Sequence, residues 1–215
     1  MNLFHSNLYI EAIKSYSENE DKNENEDDYG LGYDCPIIDN MYDFCCTIAG
    51  ASLTAAQLVI CEKFKYVINW FGGWHHAKRE KANGYCYVND IALCILKLRE
   101  KYNRVLYIDL DLHHGDGVQD AFEFTDKVMT LSFHKYAPGF YPGILILFEF
   151  NFKIIYFIFK TGTGSVEEIG KGKGKYFTIN VPLQMGITDE MYFHIFSKFV
   201  VEMGNKLKLW FLSIK

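Results

Sequence analysis

Apolar residues that recur every three to four positions indicate the helical segments. This spacing predicts an amphipathic N-terminal segment over residues 3–16 and helices over 43–63 and 88–102. A last helix is predicted after Thr188, whose side chain suits the N-cap position. Acidic residues follow it in the first turn, where the helix dipole favours them. Each of these helices has an apolar face that must pack against another layer.

Short runs of apolar and β-branched residues lie between the helical segments. They predict buried strands over residues 67–70, 104–110, 128–133 and 175–181. Strands that alternate with helices pair in parallel, so the sequence predicts an α/β layer fold. The acidic run 18–28 has no apolar period and is predicted to be a solvated loop.

Residues 144–159 interrupt this alternation, because they are dense in Ile and Phe and contain no turn signal. A membrane-spanning helix is the weakest interpretation, since the run is shorter than the roughly 20 residues that a span needs and contains Glu149 and Lys153. A β-hairpin insertion is the second interpretation. Translated non-coding sequence is the one we favour, because the residues concerned have AT-rich codons. We expect the segment to lie outside the α/β core.

Composition and charge narrow the class of protein. With 215 residues and 49% hydrophobic content, the chain can bury one medium-sized core. Its net charge of -5 gives no general attraction to nucleic acid or to an anionic membrane, and a basic partner suits it better. Six cysteines without a C-x-x-C pair favour reduced thiols in an intracellular protein, and the N-terminus shows no secretory signal.

Carboxylate and imidazole side chains come together at the end of the second predicted strand, in Asp109-Leu-Asp-Leu-His113. Alternation along a strand places Asp109, Asp111 and His113 on one face and the two leucines on the other. In an open α/β sheet, ligands bind at the carboxyl ends of the strands. Carboxylate and imidazole groups suit Zn²⁺, which in catalytic sites has three protein ligands and a water. The pattern predicts a metal site, and capping of backbone groups is the weaker alternative.

A pair of histidines, His75 and His76, follows Gly72-Gly-Trp74. Glycines allow such a loop to approach a ligand closely. The two rings can act on a metal-bound water if carboxylates hold them, and Asp109 and Asp116 are the nearest carboxylates to the predicted ligands. Alone, such a pair is more often a surface feature. Together with the aspartate-rich strand end, it predicts a general base.

Four segments, in this order, resemble the class I histone deacetylases: Asn69–Lys78, Gly84–Asp90, Val105–Val118 and Pro138–Gly143. The resemblance runs from about residue 5 to residue 143, and resumes from the Thr-Gly repeat to about residue 203. It implies an arginase-like α/β fold with a central parallel sheet flanked by helices. We expect an incomplete version of that fold here.

The resemblance implies two metal sites. Asp111 and His113 match two ligands of a zinc ion, with another divalent ion such as Fe²⁺ as the alternative. A second site, for a structural monovalent cation (K⁺), is matched by backbone carbonyls and one hydroxyl. The carbonyls are those around Asp109, Asp111, His113 and Phe133, and the hydroxyl is that of Ser132.

The implied catalytic residues are two histidines and two carboxylates. His76 matches the general base and His75 its partner. Asp109 and Asp116 match the carboxylates that orient the two imidazole rings. The expected reaction is hydrolysis of the acetyl amide of N6-acetyl-lysine. In it, zinc polarises the carbonyl and lowers the pKa of its water, and His76 takes the proton as that water attacks.

Substrate contacts are implied at the rim and walls of a pocket. Asp34 matches the acidic residue that holds the substrate backbone, and Gly84 matches a glycine that contacts substrate. Tyr85 and Phe140 match the aromatic walls around the acyl-lysine chain, although the family usually has Phe where this chain has Tyr85.

The resemblance is incomplete. The chain starts inside the family's domain and stops before the segments with the third zinc carboxylate and the tyrosine that donates to the developing oxyanion. We therefore predict a partial histone deacetylase catalytic domain over residues 1–203, interrupted at about 144–160, and a non-family tail over 204–215. We also expect the chain by itself to show little deacetylase activity and weak zinc binding.

Two alternative functions remain open. One is a catalytically inactive truncated isoform or gene-model fragment that acts at most as a binding module. The other is hydrolysis of acetylated polyamines or other amides. The partners implied are acetylated lysine in histone tails or other proteins, and co-repressor or other protein partners, with no direct nucleic acid and no membrane. We expect a chromatin and transcription regulator in the nucleus, with the cytoplasm as a further location.

Overall fold

The computed structural model describes the backbone of residues 1–18, 29–150, 154–160, 162–206 and 210–214. Side chains are described for residues 1–17, 29–143 and 162–200. In chain order the helices and strands are α1 (Asn7–Glu18), α2 (Met41–Ile60), α3 (Asp90–Leu98), β1 (Val105–Asp109), α4 (Asp116–Phe122), β2 (Val128–Lys135), β3 (Ile144–Phe150), β4 (Ile154–Lys160), β5 (Thr178–Leu183), α5 (Asp189–Lys206) and β6 (Trp210–Ile214).

The chain divides into two compact units. The N-terminal unit contains residues 1–103 and 115–123, and the sheet unit contains residues 104–114 and 124–213. The N-terminal unit therefore includes helices α1 to α4, whereas β1 to β5 and α5 belong to the sheet unit.

Helices α1 and α2 enclose the apolar core of the N-terminal unit, which includes Tyr9, Ile13, Met41, Ile48 and Val88. The length and composition of α2 would allow it to cross a membrane, a test that the buried helix of a soluble domain also passes. One side of α2 packs against α1 and α3. Its small residues permit this close packing, as the sequence predicts.

The sheet unit is built on parallel strands. The order across the sheet is β5-β2-β1-β6, with Asp109 opposite Ser132 at the end of the β1–β2 pair. Helix α5 packs against this sheet, where Tyr192 and Phe196 contact the ring of Phe133. The predicted α/β fold with a parallel sheet is thus confirmed.

Capping residues begin two helices, and the sequence predicts one of the two caps, at Thr188. The Thr188 hydroxyl accepts a hydrogen bond from the N–H of Met191 at 3.3 Å. The side-chain oxygen of Asn89 accepts one from the N–H of Ala92 at 2.8 Å. These bonds satisfy N–H groups that have no partner within the first helical turn.

The strand predicted over 67–70 is wrong. The segment is not part of a strand in the structure, and Ile68 and Trp70 are 72% and 86% exposed. A short apolar run favours a strand only if a neighbour completes its hydrogen-bond ladder. The loop predicted over 18–28 lies almost wholly outside the described residues.

The apolar segment after Gly143 forms an antiparallel hairpin. Strands β3 and β4 pair from Ile144 opposite Lys160 to Phe150 opposite Ile154, in a sheet of their own. The segment is therefore not a helix, and it lies outside the parallel sheet, as expected. Its proposed non-coding origin stays a prediction.

The two ends of this hairpin meet. A Cβ atom on Gly162 would lie 2.4 Å from the carbonyl carbon of Pro142 and 2.8 Å from the Cα of Gly143. Consecutive Cα atoms in a chain are about 3.8 Å apart, so Gly143 and Gly162 stand almost as close as bonded neighbours. The hairpin thus leaves and rejoins the sheet unit at a single point.

Candidate active site

The histidine pair lies in the N-terminal unit, on the loop between α2 and α3. His75 and His76 are each only 4% exposed, and their ring centroids are 4.0 Å apart. Buried polar rings need hydrogen-bond partners, which the surrounding elements provide. The pair is therefore part of the packed interior of this unit and not a surface feature.

The loop before the histidines folds around one buried carboxylate. Asp90 accepts hydrogen bonds from the N–H of Trp74 at 2.8 Å, from the N–H of Gly73 at 3.2 Å, and from the Ser52 hydroxyl. A Cβ atom on Gly72 would lie 2.7 Å from an Asp90 oxygen, so a larger residue there would push against this carboxylate. This explains in physical terms why glycines precede the histidine pair.

The residues after the pair are held by Asn89 and His5. The Asn89 amide donates to the carbonyl of Ala77 at 2.9 Å. The Nε2 atom of His5 accepts from the backbone N–H of Asn89 at 2.9 Å, so its Nδ1 carries the proton and faces the carbonyl of Arg79 at 3.2 Å. Burial lowers the pKa of His5 to about 4, which keeps the ring neutral.

Helix α4 packs against the backbone of the histidine pair. A Cβ atom on Gly117 would lie 2.5 Å from the carbonyl oxygen of His75 and 2.6 Å from that of Ala77. Because these are backbone atoms, the contact requires glycine at this position. The motif His-His-Gly-Asp-Gly therefore ends in a residue whose role is steric.

The key side-chain contact of the site joins His76 to the first residue of α4. The Nδ1 atom of His76 lies 2.7 Å from Oδ1 of Asp116, and both side chains are 5% exposed. An ionised carboxylate can only accept, so Nδ1 carries the proton, and in the neutral ring Nε2 holds the lone pair. This is the arrangement of a general base and the carboxylate that orients it.

Lys78 shares the same carboxylate. Its Nζ atom lies 2.6 Å from Oδ2 of Asp116 and 2.6 Å from Oδ2 of Asp120. Burial alone would raise the pKa of Asp116, but the hydrogen bond from His76 and the charge of Lys78 outweigh it and hold the pKa below its usual value. Asp116 is therefore ionised at neutral pH.

Two predicted substrate residues contact each other. An Asp34 carboxylate oxygen accepts a hydrogen bond from the N–H of Gly84 at 2.8 Å. Tyr85 follows with a positive φ of 63° and a side chain that is 76% exposed. The bond fixes the Asp34 carboxylate beside Gly84, whereas the ring of Tyr85 projects into solvent.

In the sheet unit, β1 ends at Asp109, which is fully buried. One oxygen of its carboxylate accepts from the Tyr107 hydroxyl at 2.5 Å, and the other accepts from the N–H of Asp111 at 3.0 Å. The prediction that Asp111 and His113 lie on one strand face with Asp109 is wrong, because the strand stops at Asp109. Leu112, predicted to face the opposite layer, is 58% exposed.

Asp111 and His113 nevertheless meet. The carboxylate of Asp111 accepts from the N–H of His113 at 2.8 Å, and the same oxygen lies 3.2 Å from Nδ1 of the ring. Two donors that bind one zinc ion tetrahedrally at about 2.0–2.2 Å stand roughly 3.3–3.6 Å apart. The pair fits two positions of such a site. Among the described residues, no group of three His, Cys, Asp or Glu side chains could hold a metal.

Aromatic rings flank His113. The ring of Phe140 stacks on it with centroids 5.2 Å apart and planes 6° apart, and Tyr141 meets it edge-on at 5.8 Å. Phe140 therefore lies beside a predicted metal ligand, and its role as a wall of the substrate pocket stays a prediction. The contact of Tyr141 was missed, although its place next to Phe140 was a usable signal.

The residues predicted for the monovalent cation also lie in the sheet unit. The hydroxyl of Ser132 is 2.9 Å from Nδ1 of His134, and Phe133 packs its ring against α5. Burial lowers the pKa of His134, whose Nε2 is 2.9 Å from the carbonyl of Gly164. Sequence reasoning missed His134, because it has no motif beyond its place in a strand.

The loop after the hairpin closes against these histidines. The Nδ1 atom of His114 lies 2.8 Å from the Thr163 hydroxyl, and the rings of His114 and His134 are 4.7 Å apart. Glu168 holds the loop through the N–H groups of Gly164 and Ser165. The loop therefore supports the residue next to His113.

A cavity of about 330 Å³ opens at the carboxyl ends of the parallel strands. Asp111 lines it together with Leu183 at the end of β5 and with Met185 and Ile187 of the β5–α5 connection. The position agrees with the general rule for ligand sites in α/β sheets. His75 and His76 belong to the N-terminal unit, so the prediction that they share one cavity with Asp111 and His113 stays a prediction. The same holds for Asp109 as the partner of His75.

Comparisons with known proteins agree with this geometry. Residues 1–208 match a family model described as "Histone deacetylase domain". Histone deacetylase 8 of Xenopus tropicalis is 51% identical over 196 residues, which cover 91% of this chain and 48% of that protein. Histone deacetylase 8 of Danio rerio is 46% identical over 203 residues, or 94% and 49% of the two chains.

A plant relative is similar over almost the same part of the chain. Histone deacetylase 9 of Arabidopsis thaliana is 44% identical over 195 residues, which cover 90% of this chain and 41% of that protein. The chain thus spans about half the length of the curated relatives that it matches.

Proposed function

This chain belongs to the histone deacetylase family, and on that premise we propose that it supplies the general base and part of the metal site of a deacetylase. The reaction is hydrolysis of the acetyl amide of N6-acetyl-lysine in histones and other proteins. The parallel sheet and its helices are then an incomplete arginase-like fold, the fold of this family.

The buried contact between His76 and Asp116 is the observation that supports the proposal best. Its 2.7 Å distance fixes the ring orientation and leaves Nε2 as the proton acceptor. The neighbouring Lys78 keeps Asp116 ionised. A carboxylate in this state stabilises the imidazolium that forms when the base takes a proton.

A divalent metal at Asp111 and His113 would polarise the amide carbonyl and lower the pKa of the attacking water. Zinc suits these donors, with Fe²⁺ as the alternative. His76 then takes a proton from the water through Nε2, and His75 acts as its partner. Asp116 and, in our proposal, Asp109 hold the two rings in place.

The remaining predicted residues have roles in substrate binding. Asp34, fixed by its bond to Gly84, accepts backbone N–H groups of the substrate at the rim. In this proposal, the exposed ring of Tyr85 and the ring of Phe140 contact the apolar part of the acyl-lysine side chain. An acidic rim and a net charge of -5 favour acetylated segments with basic flanks.

The proposal extends to a structural K⁺ ion at Ser132 and the nearby carbonyls, to co-repressor or other protein partners, and to a role in transcription regulation in the nucleus and also the cytoplasm. These parts rest on family membership alone.

A catalytically inactive binding module is the second candidate. It is favoured by one observation, namely that the described residues offer two metal ligands and no third. Catalytic zinc sites normally have three protein ligands. We therefore expect the 215-residue chain alone to bind zinc weakly and to show little or no turnover.

A chimera tests the proposal. Residues 1–203 are joined to the part of Xenopus tropicalis histone deacetylase 8 that follows the matched region, and turnover of an acetylated lysine peptide is measured with zinc. We expect activity that a hydroxamate chelator abolishes, and a loss of about 100- to 10,000-fold in His76→Ala. His194→Ala, which changes an exposed histidine of α5, is the matched control and should leave activity unchanged. A folded, metal-loaded chimera without turnover would contradict the proposal.

A further inference from the structure

Asp90 is a buried carboxylate that lies outside the pair formed by His76 and Asp116. It is the first residue of α3 and is only 1% exposed. Burial raises the pKa of Asp90 even though its hydrogen bonds favour the ionised form. Keeping such a group in the interior costs free energy unless its partners compensate for the lost water.

The partners of Asp90 come from two elements, helix α2 and the glycine loop. The N–H groups of Gly73 and Trp74 and the Ser52 hydroxyl converge on its two oxygens. The Ser52 oxygen in turn accepts from the Asn69 amide at 2.9 Å. The carboxylate therefore joins α2, α3 and both ends of the glycine loop.

The shape of the loop is fitted to the carboxylate. Gly73 has a φ of 102°, which favours glycine, and Gly72 has no room for a side chain because the Asp90 and Asn69 side chains lie under 3.0 Å from where its Cβ would be. The side chains of Asp90 and Asn69 therefore pack directly against the backbone of the loop at Gly72. Its conformation is thus determined by the contact with Asp90.

This contact ends one residue before the histidine pair. Trp74, whose N–H donates to Asp90, is followed directly by His75 and His76, and Asn89 holds the carbonyl of Ala77 on the other side. The N-cap residue and the first residue of α3 therefore hold the backbone on both sides of the pair. Small shifts there move the ring of His76 away from Asp116.

We propose that Asp90 is a positioning residue, which fixes the backbone of the histidine pair so that Nδ1 of His76 meets Asp116. The effect of Asp90 on catalysis rests on the proposed deacetylase function. Its effect on the contact between His76 and Asp116, which is the geometric part of the inference, does not, because it concerns only residues of the N-terminal unit.

The geometric part is tested on the 215-residue chain by NMR. A proton held between His76 Nδ1 and Asp116 gives a resonance far downfield, which is assigned by its loss in Asp116→Asn. Asp90→Asn keeps the shape but replaces an acceptor oxygen with an N–H₂ group that faces other donors. We expect this resonance to vanish and the amides of residues 72–77 to exchange at least about 10-fold faster, while the far-UV circular dichroism is unchanged.

Two matched controls distinguish a positioning role of Asp90 from two simpler effects. These are the loss of any one carboxylate and the loss of any one hydrogen bond. Asp126→Asn removes a partly exposed carboxylate of the sheet unit, and Ser52→Ala removes one partner of Asp90 but leaves both loop N–H groups bound. Both should retain the His76 resonance. A folded Asp90→Asn variant that also retains it would overturn the inference.

If Asp90→Asn does not fold, Gly72→Ala gives the same test with the carboxylate in place. Its new methyl group would press on the Asp90 oxygen at 2.7 Å and displace the loop. Loss of the His76 resonance is again expected, and a retained resonance would contradict the inference.

The catalytic part is tested in the active chimera. Misplacement of a catalytic group by about 1 Å costs on the order of 100-fold in rate, so Asp90→Asn should lower kcat by about 10- to 100-fold and change KM less than about twofold. Equal changes in the Ser52→Ala control would contradict the positioning role. If the parent chimera has no activity, the proposed function fails, and the NMR result still decides the inference.

Discussion

The two predicted halves of the site are held in different ways. In the N-terminal unit, His76 is 4% exposed and bonds to Asp116, 40 residues away in sequence. In the sheet unit, the side chains of His113 and Asp111 are 36% and 23% exposed, and their mutual contact joins residues two apart. The hydrogen bond of the first half joins distant elements, whereas the two predicted ligands of the second half contact each other within one turn, with aromatic rings beside His113.

This difference indicates what each half requires. The contact that orients the general base forms between the histidine loop and α4, and the hydrogen bonds described for this loop all lie within the N-terminal unit. Asp111 and His113 contact each other within one turn, and the ring of Phe140 lies beside His113. Among the described residues no third ligand joins the pair, so we expect its geometry to depend on the ion itself and on a further group. A binding site of this kind is ordered by its ligand, whereas the base is preorganised.

The largest effect is expected from removing one member of each half in the chimera. Asp111→Ala should weaken zinc binding by more than about 100-fold, since even partners behind the ligands are worth 10- to 100-fold. His76→Ala should keep the metal, because His76 is assigned as base and not as ligand. Metal analysis after dialysis checks both. The reverse pattern would exchange the assignments and end the contrast between the halves.

The next largest effect is expected from Gly117→Ala, which tests whether close packing of α4 against the histidine loop holds the base in place. In Gly117→Ala, the new Cβ would lie 2.5 Å from a backbone oxygen, so α4 and the histidine loop must separate. We expect a loss of about 1–3 kcal/mol in the free energy of unfolding, measured with urea.

Gly50→Ala is the matched control for that substitution. Gly50 lies within α2, and no atom is found within 4 Å of the place where its Cβ would be. Alanine should therefore stabilise the helix by roughly 0.5–1 kcal/mol. Similar effects of the two substitutions would show that the contact of Gly117 does not hold the loop.

A third, smaller effect concerns pH. The pKa of His5 is lowered from 6.5 to about 4 by burial, so the unfolded chain binds a proton at pH values where the folded chain does not. The stability that this group contributes is complete above about pH 6.5 and is lost as pH falls towards 4. We expect about 2 kcal/mol less stability at pH 5 than at pH 7 from this residue.

His5→Gln isolates that contribution. Glutamine can still donate to the carbonyl of Arg79 and accept from Asn89, but it does not titrate. The variant should lose some stability at pH 7 and show a flatter decline between pH 7 and pH 5, as measured by urea unfolding at both values. An unchanged slope would mean that His5 is not the group responsible.

The sequence predicts those parts of the site that carry their own motif. The contact of His76 with a carboxylate and the meeting of Asp111 with His113 were both predicted. In each case several chemically unusual residues stand close together in the chain. The helix cap at Thr188 was also predicted, because capping is a local effect.

What the sequence did not show depends on distant contacts. Asp90 was predicted only as a residue of a first helical turn, and its hold on the glycine loop arises 17 residues away in sequence. His5 and His134 have no pattern that separates them from ordinary core residues. The segment 67–70 has the composition of a strand, yet a strand exists only where a neighbour pairs with it.

The smallest effect on stability is expected from the most drastic change, removal of Ile144–Thr161 from the sheet unit. Gly143 and Gly162 already lie almost as close as bonded neighbours, so the deletion should close the chain without moving His113 or His114. Shortening a loop changes its closure entropy by only about 0.6 kcal/mol per halving, so the free energy of unfolding should stay within about 1 kcal/mol of the parent. Soluble yield should rise, because an Ile- and Phe-rich segment that favours aggregation is gone.

A deletion of the same length that covers residues 141–158 is the matched control. It removes Tyr141, which contacts the ring of His113, and breaks the point where the two ends of the hairpin meet. We expect this control to be clearly less stable than the first deletion and to lose the contact between His114 and Thr163, observed by NMR of the histidine rings. If the first deletion is as damaging as the control, the hairpin is integral to the sheet unit. The metal half would then depend on long-range contacts as the base does, and the contrast between the two halves would be lost.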